Sequence, residues 1–199
     1  MKNILFISLM LVFSLAWAQD DEEEQEPEGE RITVNTIITD APGDLAKDTL
    51  LVPRFDLMMP EVGATGERRK FIASVNSYAR KSNSYLKEIL DKNYPYPYRL
   101  VGLSEVDSLK DAGKRYFLDL VLMPKQMERV KKEAMVSAYR KYRTANKMYN
   151  NRDPQFHYYF YIRNLQTDDA YVNSRLRGNL EVYPAVKATL LQAVKDSQM

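Results

Sequence analysis

Arg115–Met123 (RYFLDLVLM) is apolar on both of its alternating faces, and this narrows the fold more than any other stretch. A strand of that kind must be covered on each side, which predicts a central strand in a sheet with helices packed on it. Around it, strand-like and helix-like segments alternate. Ile32–Thr39 (ITVNTIIT) is β-branched, and Asp40-Ala41-Pro42-Gly43-Asp44 breaks it. Asp48–Met58 holds a second apolar run, in which Pro53 predicts an edge position or a strand end. Glu61–Arg69 reads as a loop with two glycines.

Phe71–Lys92 is the clearest helix. Phe71/Ile72, Val75, Tyr78/Ala79, Tyr85/Leu86 and Ile89/Leu90 follow the three-and-four spacing of one buried stripe, with Ser82 in its gap. Tyr94-Pro95-Tyr96-Pro97-Tyr98 cannot continue a helix, so the chain should run extended into the strand Tyr98–Leu103. Ser104 with Asp107 resembles a capping box opening a short helix that Gly113 closes. Lys125–Tyr149 reads as a second long helix, burying Met127, Val130, Ala134, Ala138, Tyr142, Ala145 and Tyr149. Arg129, Lys132, Arg140, Arg143 and Lys147 fall largely on its opposite face.

Phe156–Arg163 (FHYYFYIR) alternates strictly, with Phe156, Tyr158, Phe160 and Ile162 on one side and His157, Tyr159, Tyr161 and Arg163 on the other. Ala170–Arg177 returns as its hairpin partner, and a closing helix begins near Pro184 with Val186, Leu190, Ala193 and Val194 inward. The expected fold is α/β (α+β): a mixed sheet carrying long helices, then a C-terminal β-hairpin and a closing helix.

The first residues bear on location. Met1-Lys2-Asn3 is basic, Ile4–Leu15 is apolar, and Ala16-Trp17-Ala18 ends in the small-x-small pattern of a secretory signal cut before Gln19. Residues 1–18 are therefore read as a signal peptide, 19–31 as an acidic disordered linker, and 32–199 as a single domain. Asp20–Glu30 carries eight carboxylates, which repel one another and cannot bury apolar surface. From Arg31 onward, 28 basic residues face 19 acidic ones, a net charge of +9. With 0 Cys, a disulfide framework, a thiolate metal site and a lipobox cysteine are all ruled out. An exported domain of this size without disulfides suits a bacterial envelope, periplasmic or secreted and Gram-negative.

Reactive constellations are sparse. The chain has 1 His and none of the GxGxxG, GxxxxGK[ST], HExxH or GxSxG patterns. No cofactor or metal is expected. Asp119 interrupts an apolar strand, where an ionised group is costly unless paired. Arg163 or His157 on a neighbouring strand would be its partner. A general base is the functional alternative to that structural pair, giving a small hydrolase built on Asp119 with His157. The face His157/Tyr159/Tyr161/Arg163 reads either as a stacking platform or as packing under a helix. The cations Arg129, Lys132, Arg140, Arg143 and Lys147 read either as a solvated outer face or as a site for an acidic glycan or lipid. Nucleic acid is not expected as a partner of an exported chain without a recognised binding motif.

The strings LLVPRF, YPYRLVGLSEVDSL, RYFLDLVL, FHYYFYIRNLQTDDAYV and PAVKATLLQAVKDS, with the helix Phe71–Lys92, resemble the N-terminal domain of TolB. They also resemble the related domain of the curli secretion lipoprotein CsgG. The likeness spans Asp48–Ser197, and the basic segment Lys125–Tyr149 is an insertion relative to it. It implies a non-catalytic envelope domain that works through contacts. The expectation is thus an exported protein that binds an envelope protein or an anionic surface polymer and has no transmembrane segment after cleavage. The surfaces expected to make contact are the basic helix, the hairpin Phe156–Arg177 and the Tyr94–Tyr98 segment.

Overall fold

A computed structural model of the chain describes residues 34–124, 135, 142, 144–150, 156–173 and 178–198. The proposed signal peptide and acidic linker lie outside them. Six strands, β1 (Ile37–Thr39), β2 (Leu50–Pro53), β3 (Tyr98–Val101), β4 (Tyr116–Pro124), β5 (Phe156–Asn164) and β6 (Ala170–Val172), form one sheet in the order β1-β6-β5-β4-β2-β3. The sheet is mixed: β2 is parallel to β3 and β4, β1 is parallel to β6, and β5 is antiparallel to β4 and β6. Four helices accompany it among the described residues: α1 (Gly66–Asn93), α2 (Val106–Asp111), α3 (Ala145–Tyr149) and α4 (Val182–Asp196). The expected α/β class is therefore correct, with β4 central and paired to β5 over its whole length.

Alternation places Leu118, Leu120, Phe160 and Ile162 in the main core with Leu86 and Leu90 of α1 and Val186 and Leu190 of α4. The intervening residues Val121, Met123, Tyr159 and Tyr161 form a second cluster with Val34, Met135, Ala170 and Val172. Thr65 opens α1 by accepting the Arg68 N–H at its hydroxyl, and Tyr94 ends it in an extended conformation before Pro95. Ile72, Ala79, Leu86, Ile89 and Leu90 are the buried stripe, and Ser82 is buried in its gap as expected, whereas Phe71, Tyr78 and Tyr85, also expected inward, are exposed at its border.

Several boundaries differ from the sequence expectation, each for a local reason. Pro53 ends a strand, but β2 lies between β3 and β4 and is not an edge. As the last residue of β2, it interrupts no ladder with its missing N–H. The turn before α2 is closed by the Glu105 carboxylate, which accepts the Gly102 N–H at 3.0 Å, and not by Ser104 with Asp107. Gly113 does terminate the segment, at φ +80°. Helix α4 starts two residues before Pro184, which still falls in the first turn, where no intrahelical donor is needed.

The largest correction concerns the helix expected over Lys125–Tyr149. Met135 and Tyr142 are not helical, and Thr144 is extended at φ −136° and ψ 143°. Its hydroxyl accepts the Lys147 N–H at 3.3 Å, so Thr144 caps a new five-residue helix, α3. The other residues of 125–143 lie outside the described ones.

Candidate binding surface

The residues singled out on β5 are mostly internal. Tyr159, Tyr161 and Arg163 are buried and His157 is half-buried, so this face is a packed layer and not a stacking platform open to solvent. Asp119 is buried beside them. Its Oδ2 accepts the Tyr161 hydroxyl at 3.1 Å and lies 3.6 Å from Arg163 Nη1, while its Oδ1 accepts the Leu120 N–H at 2.8 Å. Arg163 also donates from Nε and Nη2 to Asp168 Oδ1, at 3.2 and 2.9 Å. Burial drives the Tyr161 hydroxyl pKa far above its ordinary value, with the Asp119 charge adding to it. Burial alone pushes Tyr159 up to about 12 against the carbonyl of Asn173 that accepts its proton. For Arg163, burial opposes the charge, but Asp119, Tyr161 and Asp168 outweigh it and the pKa is raised.

The alternative pairing of Asp119 with His157 does not form. Asp119 is opposite Tyr161, whereas His157 is opposite Met123, four residues further along β4. That is about 13 Å along the strand. His157 instead backs against Gly178, where an added Cβ would come within 2.5 Å of its own Cβ. Lys147 is exposed on α3. Arg129, Lys132, Arg140 and Arg143 lie outside the described residues. The Tyr94–Tyr98 segment turns inward: Tyr94 is buried, the Tyr96 hydroxyl shares a 2.8 Å hydrogen bond with the Ser197 hydroxyl, and Tyr98 donates to Asp91.

Parallel strands ordered β3-β2-β4 create a switch point at the carboxyl ends of β2 and β4, where open α/β sheets usually take ligands. Here the chain fills that place itself. The Tyr149 hydroxyl donates to the Pro53 carbonyl at 2.6 Å, and the Ala145 N–H donates to Asp56 Oδ2 at 3.1 Å, so α3 closes the crevice. A small, shallow cleft beside β5, β6 and α4 has Asp40 and Asp196 among its lining residues. The Asp196 carboxylate already accepts the amides of Gln192 and Asn173. Among the described residues, no three His, Cys, Asp or Glu side chains converge to hold a metal ion.

What stands out is the loop after β2, and the sequence reading passed over it. Three asparagine side chains grip its backbone from both sides. Asn83 accepts the Phe55 N–H at 2.7 Å and donates to the Phe55 carbonyl at 2.8 Å. Asn146 treats Asp56 the same way, at 2.9 and 3.1 Å. Asn76 does so for Met58, at 2.7 and 3.0 Å. Each amide thus substitutes for a residue of a neighbouring strand. Phe55 anchors the start, buried against the Tyr149 and Tyr78 rings at 4.7 and 5.8 Å. The Arg54–Glu105 pair at 2.7 Å and the Arg68–Glu61 pair at 2.5 Å fasten the two ends.

The gripped loop presents apolar side chains outward. Leu57 is 49%, Met59 81% and Val62 106% exposed. Single exposed apolar residues are ordinary. Leu57 and Met59 on a backbone held by six side-chain hydrogen bonds at Phe55, Asp56 and Met58, with Val62 exposed beyond them, are a preorganised surface, because ordering there has been completed before any contact is made. Burial raises the Asp56 pKa, against the lowering effect of the Ala145 N–H and Arg54. The available sequence signal was the apolar run Phe55, Leu57, Met58, Met59 continuing past Pro53 into a Pro/Gly stretch. No known protein family, curated protein or solved structure matches this chain.

Proposed function

We propose that this chain is an exported, non-catalytic protein that docks on another component of the cell envelope through the loop Arg54–Gly63. The observation that carries this reading is the triple asparagine grip on Phe55, Asp56 and Met58, which fixes the backbone that displays Leu57 and Met59. A loop that only connected β2 to α1 would need no such support, whereas a contact loop gains affinity from being held in shape beforehand. The leader Met1–Ala18 supports the location, and the resemblance to the TolB N-terminal domain implies the same mode of action by contact.

A photo-crosslinking residue at Met59 tests the proposal, with the same probe at Lys195 on α4 as the reference. In intact envelopes, the Met59 probe should form discrete adducts and the Lys195 probe should not. Adducts from neither position, or equally from both, would remove the loop as the docking element.

A further inference from the structure

Helix α1 is strongly one-signed along most of its length. From Arg68 to Lys87 it carries six cations and no carboxylate. Arg68 is paired with Glu61 and Lys87 with Asp91. Arg69, Lys70, Arg80 and Lys81 are exposed, and no carboxylate among the described residues lies within ion-pair distance of them. At 100° per residue these four share the solvent side opposite the buried stripe, as two pairs eleven residues apart, three turns or about 16 Å. Between the pairs the exposed small residues Ala73 and Ser77 stand on that side, and Ser84 continues it past Lys81.

The same geometry joins this face to the loop. Asn76 and Asn83, which grip Met58 and Phe55, lie along one edge of α1, and Arg69 and Arg80 are the next residues outward from that edge. Arg69 also donates from Nε to the Ala64 carbonyl at 3.1 Å, at the foot of the loop. The loop is therefore flanked by Arg69 and Arg80, and Lys70 and Lys81 follow about 100° further round the helix.

We infer that this combined surface binds an anionic lipid bilayer, with the loop tip entering the interface and Arg69, Lys70, Arg80 and Lys81 meeting the headgroups. The inference rests on the docking reading above and names the surface that is docked on. Two cation pairs set about 16 Å apart are too far from each other for one small anion and fit an extended negative surface. The convex apolar tip beside them fits a hydrocarbon boundary, and interfacial binding draws on both terms together. No helix among the described residues is long and apolar enough to cross a membrane.

The test is co-sedimentation of the chain from Gln19 onward, without the leader, with vesicles of phosphatidylcholine alone and with one third phosphatidylglycerol. Binding should require the anionic lipid and weaken as salt is raised. Arg80→Gln with Lys81→Gln should reduce it about thirtyfold, from about fivefold per cation near an anionic surface. Met59→Ser with Val62→Ser should reduce binding while leaving its salt dependence in place. All four positions are exposed, and an unchanged thermal unfolding midpoint verifies that each variant folds. Equal binding to neutral vesicles, no binding to either, or no effect of the Arg80/Lys81 changes overturns the inference. Protein adducts from the Met59 probe without vesicle binding would refute the bilayer and leave the docking reading standing. Failure of both experiments would remove both.

Discussion

Asp119 is the residue whose role was most nearly readable in advance. An acid in a strand apolar on both faces needs a partner, and Arg163 provides one at 3.6 Å. Its distance from His157 was not readable, because strand alternation gives the face of a residue and not its register. With both members fully buried, Arg163→Met should cost about 3–5 kcal/mol in urea unfolding, since it takes the cation away from the buried Asp119 carboxylate, and Asp119→Asn should cost less, because Arg163 keeps its pairing with Asp168 at 2.9 Å. Replacing both with apolar residues should cost much less than the sum; additive losses would mean the pair acts independently. Asp56 predicts a pH effect. Burial raises its folded pKa above 3.8, so stability is lost as pH rises from that value through the folded pKa. Asp56→Asn should therefore unfold at a higher temperature than the parent at neutral pH, with the gap closing below about pH 4. An unchanged gap across that range would show that Asp56 is not desolvated. Asp44 has the opposite sign: the Tyr116 hydroxyl, aided by Arg115, lowers its pKa despite slight burial, so its contribution is lost as pH falls through that lowered value.

Regular periodicity made α1, β4, β5 and α4 legible within a few residues, although in α1 the apolar spacing also swept in Phe71, Tyr78 and Tyr85, which are exposed. Lys125–Tyr149 was misread at Thr144, where the apolar spacing continues but the hydroxyl caps a fresh start. A threonine competes for the backbone in this way without disturbing the hydrophobic pattern. The loop after β2 was illegible for a different reason. Its order comes from Asn76, Asn83 and Asn146, which are 18 to 90 residues distant and look like ordinary polar surface positions in sequence. Asn83→Ala or Asn76→Ala should each cost about 1–3 kcal/mol, by leaving a half-buried backbone pair unsatisfied. Each should also speed proteolysis within Leu57–Gly63, measured against the parent. Unchanged cleavage would mean that the other two amides suffice.

Across the whole molecule, two features act together. The sheet topology creates a crevice at the ends of β2 and β4, and the chain seals it with α3, so the outward surface next to it, not the crevice, is what a partner can reach. The loop displayed there depends on α1 for two of its amides and on α3 for the third. Sheet, helices and loop therefore form a single mounting for the backbone that carries Leu57 and Met59. The direct test is amide hydrogen exchange of the isolated protein at Phe55, Asp56 and Met58. We predict strong protection at all three, despite the exposure of Leu57 and Met59 between and beside them. Exchange at the rate of an unstructured peptide would mean that the loop is not held, and would contradict the account.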